Sequence, residues 1–174
     1  MEKVTALVDA VLRMIIIAAF AVLVVCVIWQ VFSRYVLGTP STVTDEMARF
    51  LFIWVALLGG AYTLGQRRHL AIDLLPTITH GPVRYLVNAA IILAVAVFAV
   101  VVMIYGGINL VSRTLETGQV SPALRMPMGA VYVAIPVAGL GILFYAGGFL
   151  LDLIRTGQGL NERSGPTAPG GPLS

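Results

Sequence analysis

Long apolar runs separated by short polar ones set the pattern of this chain. Met14 to Ser33 carries no charge from end to end. At 1.5 Å per residue a run of that size covers about 30 Å, the thickness of a bilayer's hydrocarbon core. Three more runs follow, at 47–64, 85–111 and 128–151, so the pattern predicts an all-α integral membrane protein with four transmembrane helices. The third run exceeds one bilayer thickness, which predicts a tilted or projecting helix. Ahead of the first, Val4, Leu7, Val8, Val11 and Leu12 recur at helical spacing among Glu2, Lys3 and Asp9. That spacing predicts an interfacial helical segment over 1–13, before the chain turns into the bilayer. A cleaved signal peptide fits poorly: the apolar run is too long, no small-x-small site follows, and Arg34-Tyr35 closes it.

The polar segments supply the punctuation. Gly38 to Thr44 breaks the chain after the first span, with Thr44 as a candidate cap for the second helix and Asp45 and Glu46 in its first turn. Gln66 to Arg84 contains Asp73, Pro76, Gly81 and Pro82 and reads as a connector with one amphipathic turn, Leu70 to Leu75. Ser112 to Pro127 reads as a second polar connector. Pro136 should kink the fourth span, because it lacks the N–H that continues a helix. The membrane domain closes at 155, and 156–174, rich in Gly, Pro, Ser and Thr, is expected to be a disordered cytoplasmic tail.

Composition agrees with lipid as the main solvent. Charged residues make up 11% of the chain and hydrophobic ones 59%, against about 25% charged in a soluble domain. The net charge of +3 is modest and no basic block occurs, which leaves a nucleic-acid partner without support. Lys3, Arg13, Arg67, Arg68, Arg84, Arg155 and Arg163 fall on one side of the predicted topology. Arg34, Arg49, Arg113 and Arg125 fall on the other. The excess places both termini in the cytoplasm by the positive-inside rule.

No Asp, Glu, Lys, Arg or His lies deep inside any of the four runs, where an ion-coupled transporter usually holds its coupling group. His69 and His80 lie in polar segments, which disfavours a haem anchor. No cluster of nucleophile, base and metal ligands suggests an enzyme or a cofactor. The sharpest charged constellation is Asp45, Glu46 and Arg49. Asp45 and Arg49 stand four apart on one helical face and can pair, while Glu46 points to a neighbouring face. The trio reads either as an ordinary helix start or as an anchor for another subunit or a periplasmic partner. Arg67, Arg68 and His69 read as topology determinants, and His69 and Asp73 are spaced for a helical contact. Gly59, Gly60, Gly106, Gly107, Gly139 and Gly141 read as close-packing positions. Trp29, Tyr35, Trp54, Tyr62 and Tyr105 read as interface anchors or packing residues.

In order along the chain stand Arg34-Tyr35, Thr44-Asp45-Glu46-Met47-Ala48-Arg49, Trp54, Gly59-Gly60-Ala61 and Arg68-His69-Leu70-Ala71-Ile72-Asp73. Ser121-Pro122-Ala123-Leu124-Arg125-Met126-Pro127, Tyr132 and Ile135-Pro136 follow. This succession, over roughly 10–155, resembles the small membrane subunit of tripartite ATP-independent periplasmic (TRAP) transporters, the DctQ-like family. Val43 departs from it, since the family often has tryptophan there. The resemblance implies a scaffold subunit in the bacterial inner membrane, partnered by a large multi-span subunit that binds substrate and sodium. It also implies a periplasmic solute-binding protein that delivers an organic acid such as a C4-dicarboxylate or a sialic acid. Arg34, Asp45, Glu46, Arg49, Trp54, Arg68, His69, Asp73, Pro122 and Pro136 become its candidate interface or structural residues. The competing reading is a self-contained oligomeric channel or exporter, for which the spans offer few polar pore-lining residues.

Overall fold

The computed structural model of the chain describes residues 2–66 and 82–156. Helix α1 runs Glu2–Tyr35 and α2 runs Thr42–Gly65. Helix α3, Pro82–Phe98, passes into a π-helical segment, Ala99–Gly106, and then into α4, Gly107–Glu116. After a loop come α5, Met128–Tyr132, and α6, Ala134–Thr156. Four stretches are long and apolar enough to cross a membrane: Val4–Tyr35, Thr42–Gly65, Leu86–Glu116 and Met128–Leu151.

Several boundaries differ from the expected ones, each for a local reason. Residues 2–13 do not turn away before the first span. Nothing in Glu2–Tyr35 is glycine or proline, so the helix continues unbroken into 14–33. Thr44 is not the cap of α2; Ser41 occupies that position in extended conformation. Thr44 sits inside the first turn, and its hydroxyl donates to Ser41 Oγ at 2.9 Å. The connector expected from Ser112 is helical as far as Glu116. Ser112, Thr114 and Thr117 turn their hydroxyls back onto the carbonyls of Ile108, Leu110 and Arg113, which lets polar residues continue the helix. Gly118, at φ +62, then reverses the chain. The predicted irregularity at Pro136 is present: regular helix is interrupted at Val133, next to the Tyr132 carbonyl that Pro136 cannot serve. Arg67, Arg68, His69, Asp73 and the Leu70–Leu75 turn lie outside the described residues, as does 157–174.

The helices form a row. Helix α1 packs along α2, α2 along α6, and α6 along both α3 and the π segment. One core cluster centres on Leu58, Met103 and Ala138, with Trp54 and, from α1, Leu12 and Ile16 against it. A second joins Ile92 of α3 to Ala146 and Leu153 of α6. Helix α1 stands at the edge of the row and leaves Ile28, Val31, Phe32 and Tyr35 on a shallow apolar groove.

Glycine sets the close approaches. A Cβ on Gly139 would stand 2.8 Å from Met103 Cβ, and one on Gly107 would stand 2.9 Å from Pro136 Cδ. Gly141 lies in ordinary contact with Ala61, whereas a Cβ on Gly59 or Gly60 would meet nothing within 4 Å among the described residues. Gly65, against the Tyr145 ring, and Gly129, against Leu115, are close-packing positions that the sequence pattern did not single out.

Candidate functional site

Two polar clasps, one near each end of α2, tie together segments far apart in sequence. The first is built on Glu46. Its Oε2 accepts hydrogen bonds from the backbone N–H groups of Ala123, at 3.0 Å, and Leu124, at 2.7 Å. Those N–H groups belong to a loop that is closed on itself. Ser121 N–H donates to the Met126 carbonyl at 2.9 Å, and Met126 N–H donates to Ser121 Oγ at 3.2 Å. Met128 N–H reaches the Gln119 carbonyl at 2.9 Å. Ser121 is buried, and Arg125 takes φ +52, a left-handed conformation that a non-glycine residue adopts only when its surroundings hold it. The carboxylate and the serine hydroxyl supply that hold. The result is an ordered loop with Pro122, Arg125 and Met126 on its exposed side.

The neighbours of Glu46 do something different. Asp45 and Arg49 form the predicted i, i+4 ion pair, at 2.5 Å. The Arg49 side chain is 74% exposed, so this pair contributes only a few tenths of a kcal/mol. The charged trio therefore divides: Glu46 is an internal fastening, and Asp45–Arg49 is a surface pair beside it. Arg34 is exposed at the end of α1, Trp54 is packed into the core on α2, and Pro136 lies against Gly107. Ser33 Oγ–H donates to the Thr39 carbonyl and closes the turn between α1 and α2 at this same end.

The second clasp centres on Asp9. Tyr145 O–H donates to its Oδ1 at 2.5 Å, and Gln66 Nε2–H donates to its Oδ2 at 3.1 Å. It thus binds α1, the end of α2 and α6. From Glu46 to Gln66 along α2 is about 30 Å at helical rise, so the clasps are separated by about the thickness of a hydrocarbon core. Replacing Asp9 with alanine should cost about 1–3 kcal/mol, because it leaves the buried Tyr145 hydroxyl without its acceptor. Cysteine cross-linking between exposed positions near residue 9 and the α2 end should then fall, while cross-linking near Glu46 stays unchanged. Sequence reasoning saw Asp9 only as a polar position in an amphipathic pattern. Its partners lie 57 and 136 residues away, with no local signal connecting them.

Among the described residues, no three His, Cys, Asp or Glu side chains gather as a metal site. What the arrangement does is mechanical: it fixes a loop at one end of the row and a helix at the other. The residues fixed at the first end, around Glu46 and Ser121–Pro127, are among those whose succession suggested a family. The sequence profile for the DctQ component of tripartite ATP-independent periplasmic transporters matches residues 23–156. The chain belongs to this family.

Curated DctQ-family relatives agree with the match. The chain is 22% identical over 144 residues to a putative TRAP transporter small permease protein of Haemophilus influenzae, covering 80% of this chain and 85% of that one. It is 30% identical over 114 residues to the C4-dicarboxylate TRAP transporter small permease protein DctQ of Rhodobacter capsulatus, covering 66% of this chain and 50% of that one. It is also 27% identical over 130 residues to the isethionate TRAP transporter permease protein DctMQ of Oleidesulfovibrio alaskensis, where the match takes 71% of this chain and 20% of the relative. The chain thus spans about half of that DctQ and a fifth of that DctMQ.

Proposed function

We propose that this DctQ-family chain is the scaffold subunit of a sodium-driven uptake system for an organic acid, working with a large multi-span subunit and a periplasmic solute-binding protein. The observation that carries the reading is the division of polar groups. The described polar clasps bind the chain's own helices and loop together and stand near the ends of the row, leaving apolar packing between them. Such a chain adds fixed helices to a transporter whose coupling groups belong to a partner. The DctMQ relative, five times as long as the segment it shares with this chain, is the precedent for a large partner.

In this reading both termini are cytoplasmic, the Asp9 clasp lies at the cytoplasmic face, and the Glu46 clasp lies at the periplasmic face. The Glu46-held loop then offers Pro122, Arg125 and Met126 to the solute-binding protein, while the outer face of α1 and the rest of the apolar surface meet the large subunit and lipid. Candidate substrates are carboxylates of the C4-dicarboxylate or sialic acid type; the relatives described above include one C4-dicarboxylate and one isethionate transporter protein.

The test is uptake in proteoliposomes holding the cognate large subunit and binding protein, with and without this chain. The reading expects labelled organic acid to accumulate under an inward sodium gradient only when all three are present. Equal accumulation without this chain would contradict it. Flux through liposomes containing this chain alone would favour the channel reading instead.

A further inference from the structure

Two departures from regular α-helix lie side by side in this molecule. The π segment Ala99–Gly106 interrupts the third span, and the break at Val133 ahead of Pro136 interrupts the fourth. Their contact is close. Gly107, directly after the π segment, lies against Pro136, and Gly139 lies against Met103 and Ile104 of the π segment, with Ala99 O near by. Any side chain at either glycine would hold the two spans apart.

Beyond this level the chain forms one compact unit: α4, the loop and α5, residues 107–133. Gly129 packs against Leu115 across it, and the bonds of Ser121 and Met128 close the loop. Helices α4 and α5 pack closely on each other and only sparingly on α2. Among the described residues, the polar tie from this unit to α2 is Glu46, through Ala123 and Leu124.

We propose that residues 107–133 are a hinged tip, pivoting about the paired π segment and Pro136 break and latched to α2 by Glu46. Bending an intact helix costs the i→i−4 bonds on the opened side. At this level the ladder is already altered in one span and missing a donor in the other, so a tilt there sacrifices little. The close glycine contacts hold the two irregularities against each other. A ligand that competes for the loop N–H groups, or that binds the loop's outer side in one orientation only, shifts the tip between latched and tilted positions. The proposal stands apart from the transporter reading, since it concerns this chain's geometry alone.

The experiment is pulsed electron–electron distance measurement on the full chain in lipid nanodiscs, in a Cys26→Ala background. One spin-label pair joins the tip to the frame, through Glu116→Cys and Val43→Cys. A control pair, Val22→Cys and Phe52→Cys, lies within α1 and α2. With Glu46 intact, the tip pair should give one narrow distribution. Glu46→Ala should add a second population displaced by more than the width of the first, with the control pair unchanged. Adding Pro136→Ala, which restores a donor for the Tyr132 carbonyl, should remove that second population. A single unchanged distribution in Glu46→Ala would overturn the latch. An equal second population with Pro136→Ala would overturn the hinge, and broadening of the control pair would show general loosening in its place.

Discussion

Replacing Gly139 with leucine should sharply reduce the yield of folded protein and lower its melting temperature in detergent. The Cβ alone would stand 2.8 Å from Met103 Cβ and 3.1 Å from Ile104 Cγ1, and the backbone carbonyl of Ala99 lies 3.4 Å away. Neither side can yield easily, because Met103 is buried in the main core cluster and the Ala99 contact is backbone. Overpacking of this kind costs about 3 kcal/mol, at the upper end of the usual range. The matched control is Gly59→Leu, where the glycine faces open space and the change should be tolerated. Thermal unfolding of the two variants side by side, followed by size-exclusion chromatography, checks the difference.

Glu46→Ala should have the second largest effect, and a local one. Two consecutive backbone N–H groups lose a charged acceptor, at a cost of about 2 kcal/mol. Hydrogen exchange at Ala123 and Leu124 should accelerate by about 30-fold, the equivalent of that energy. Amides in the C-terminal part of α2, between Leu57 and Leu64, should exchange as before. Glu46→Gln keeps a neutral acceptor and should fall between the two. Uniform acceleration across α2 would instead give Glu46 a role in the whole fold.

The sequence makes the spans visible because burial in lipid needs long uncharged runs, and those runs are continuous. It also makes Asp45–Arg49 visible, since helical spacing alone brings i and i+4 together. The break near Pro136 follows from the chemistry of one residue. The π segment is hidden for a physical reason: Ala99–Gly106 is apolar throughout, so no polar face marks the phase of the helix or a change in it. The Glu46–loop clasp was half visible. Both of its parts stood out as short motifs, yet the partners are separated by 77 and 78 positions along the chain. The sequence pattern gave Gly59, Gly60, Gly107 and Gly139 the same close-packing role. Contacts separate Gly107 and Gly139, which touch a neighbouring helix, from Gly59 and Gly60, which do not.

The division of the charged trio has a practical consequence for mutagenesis. Asp45 and Arg49 can be changed with little effect on this chain's own stability, so a defect in assembly or uptake there would report a partner contact. A defect from Glu46 would first have to be separated from disorder of the 119–128 loop. The DctQ match and the four apolar spans make this chain a multi-pass membrane protein of that family, and we propose that it works as the fixed part of a larger permease.

The most direct test is affinity purification of the tagged protein from its native membrane in mild detergent, with mass spectrometry of what comes with it. A near-stoichiometric multi-span membrane protein is expected, joined by a periplasmic solute-binding protein under the gentlest conditions. Recovery of this chain alone, or only as its own oligomer, would contradict its role as the fixed part of a larger permease.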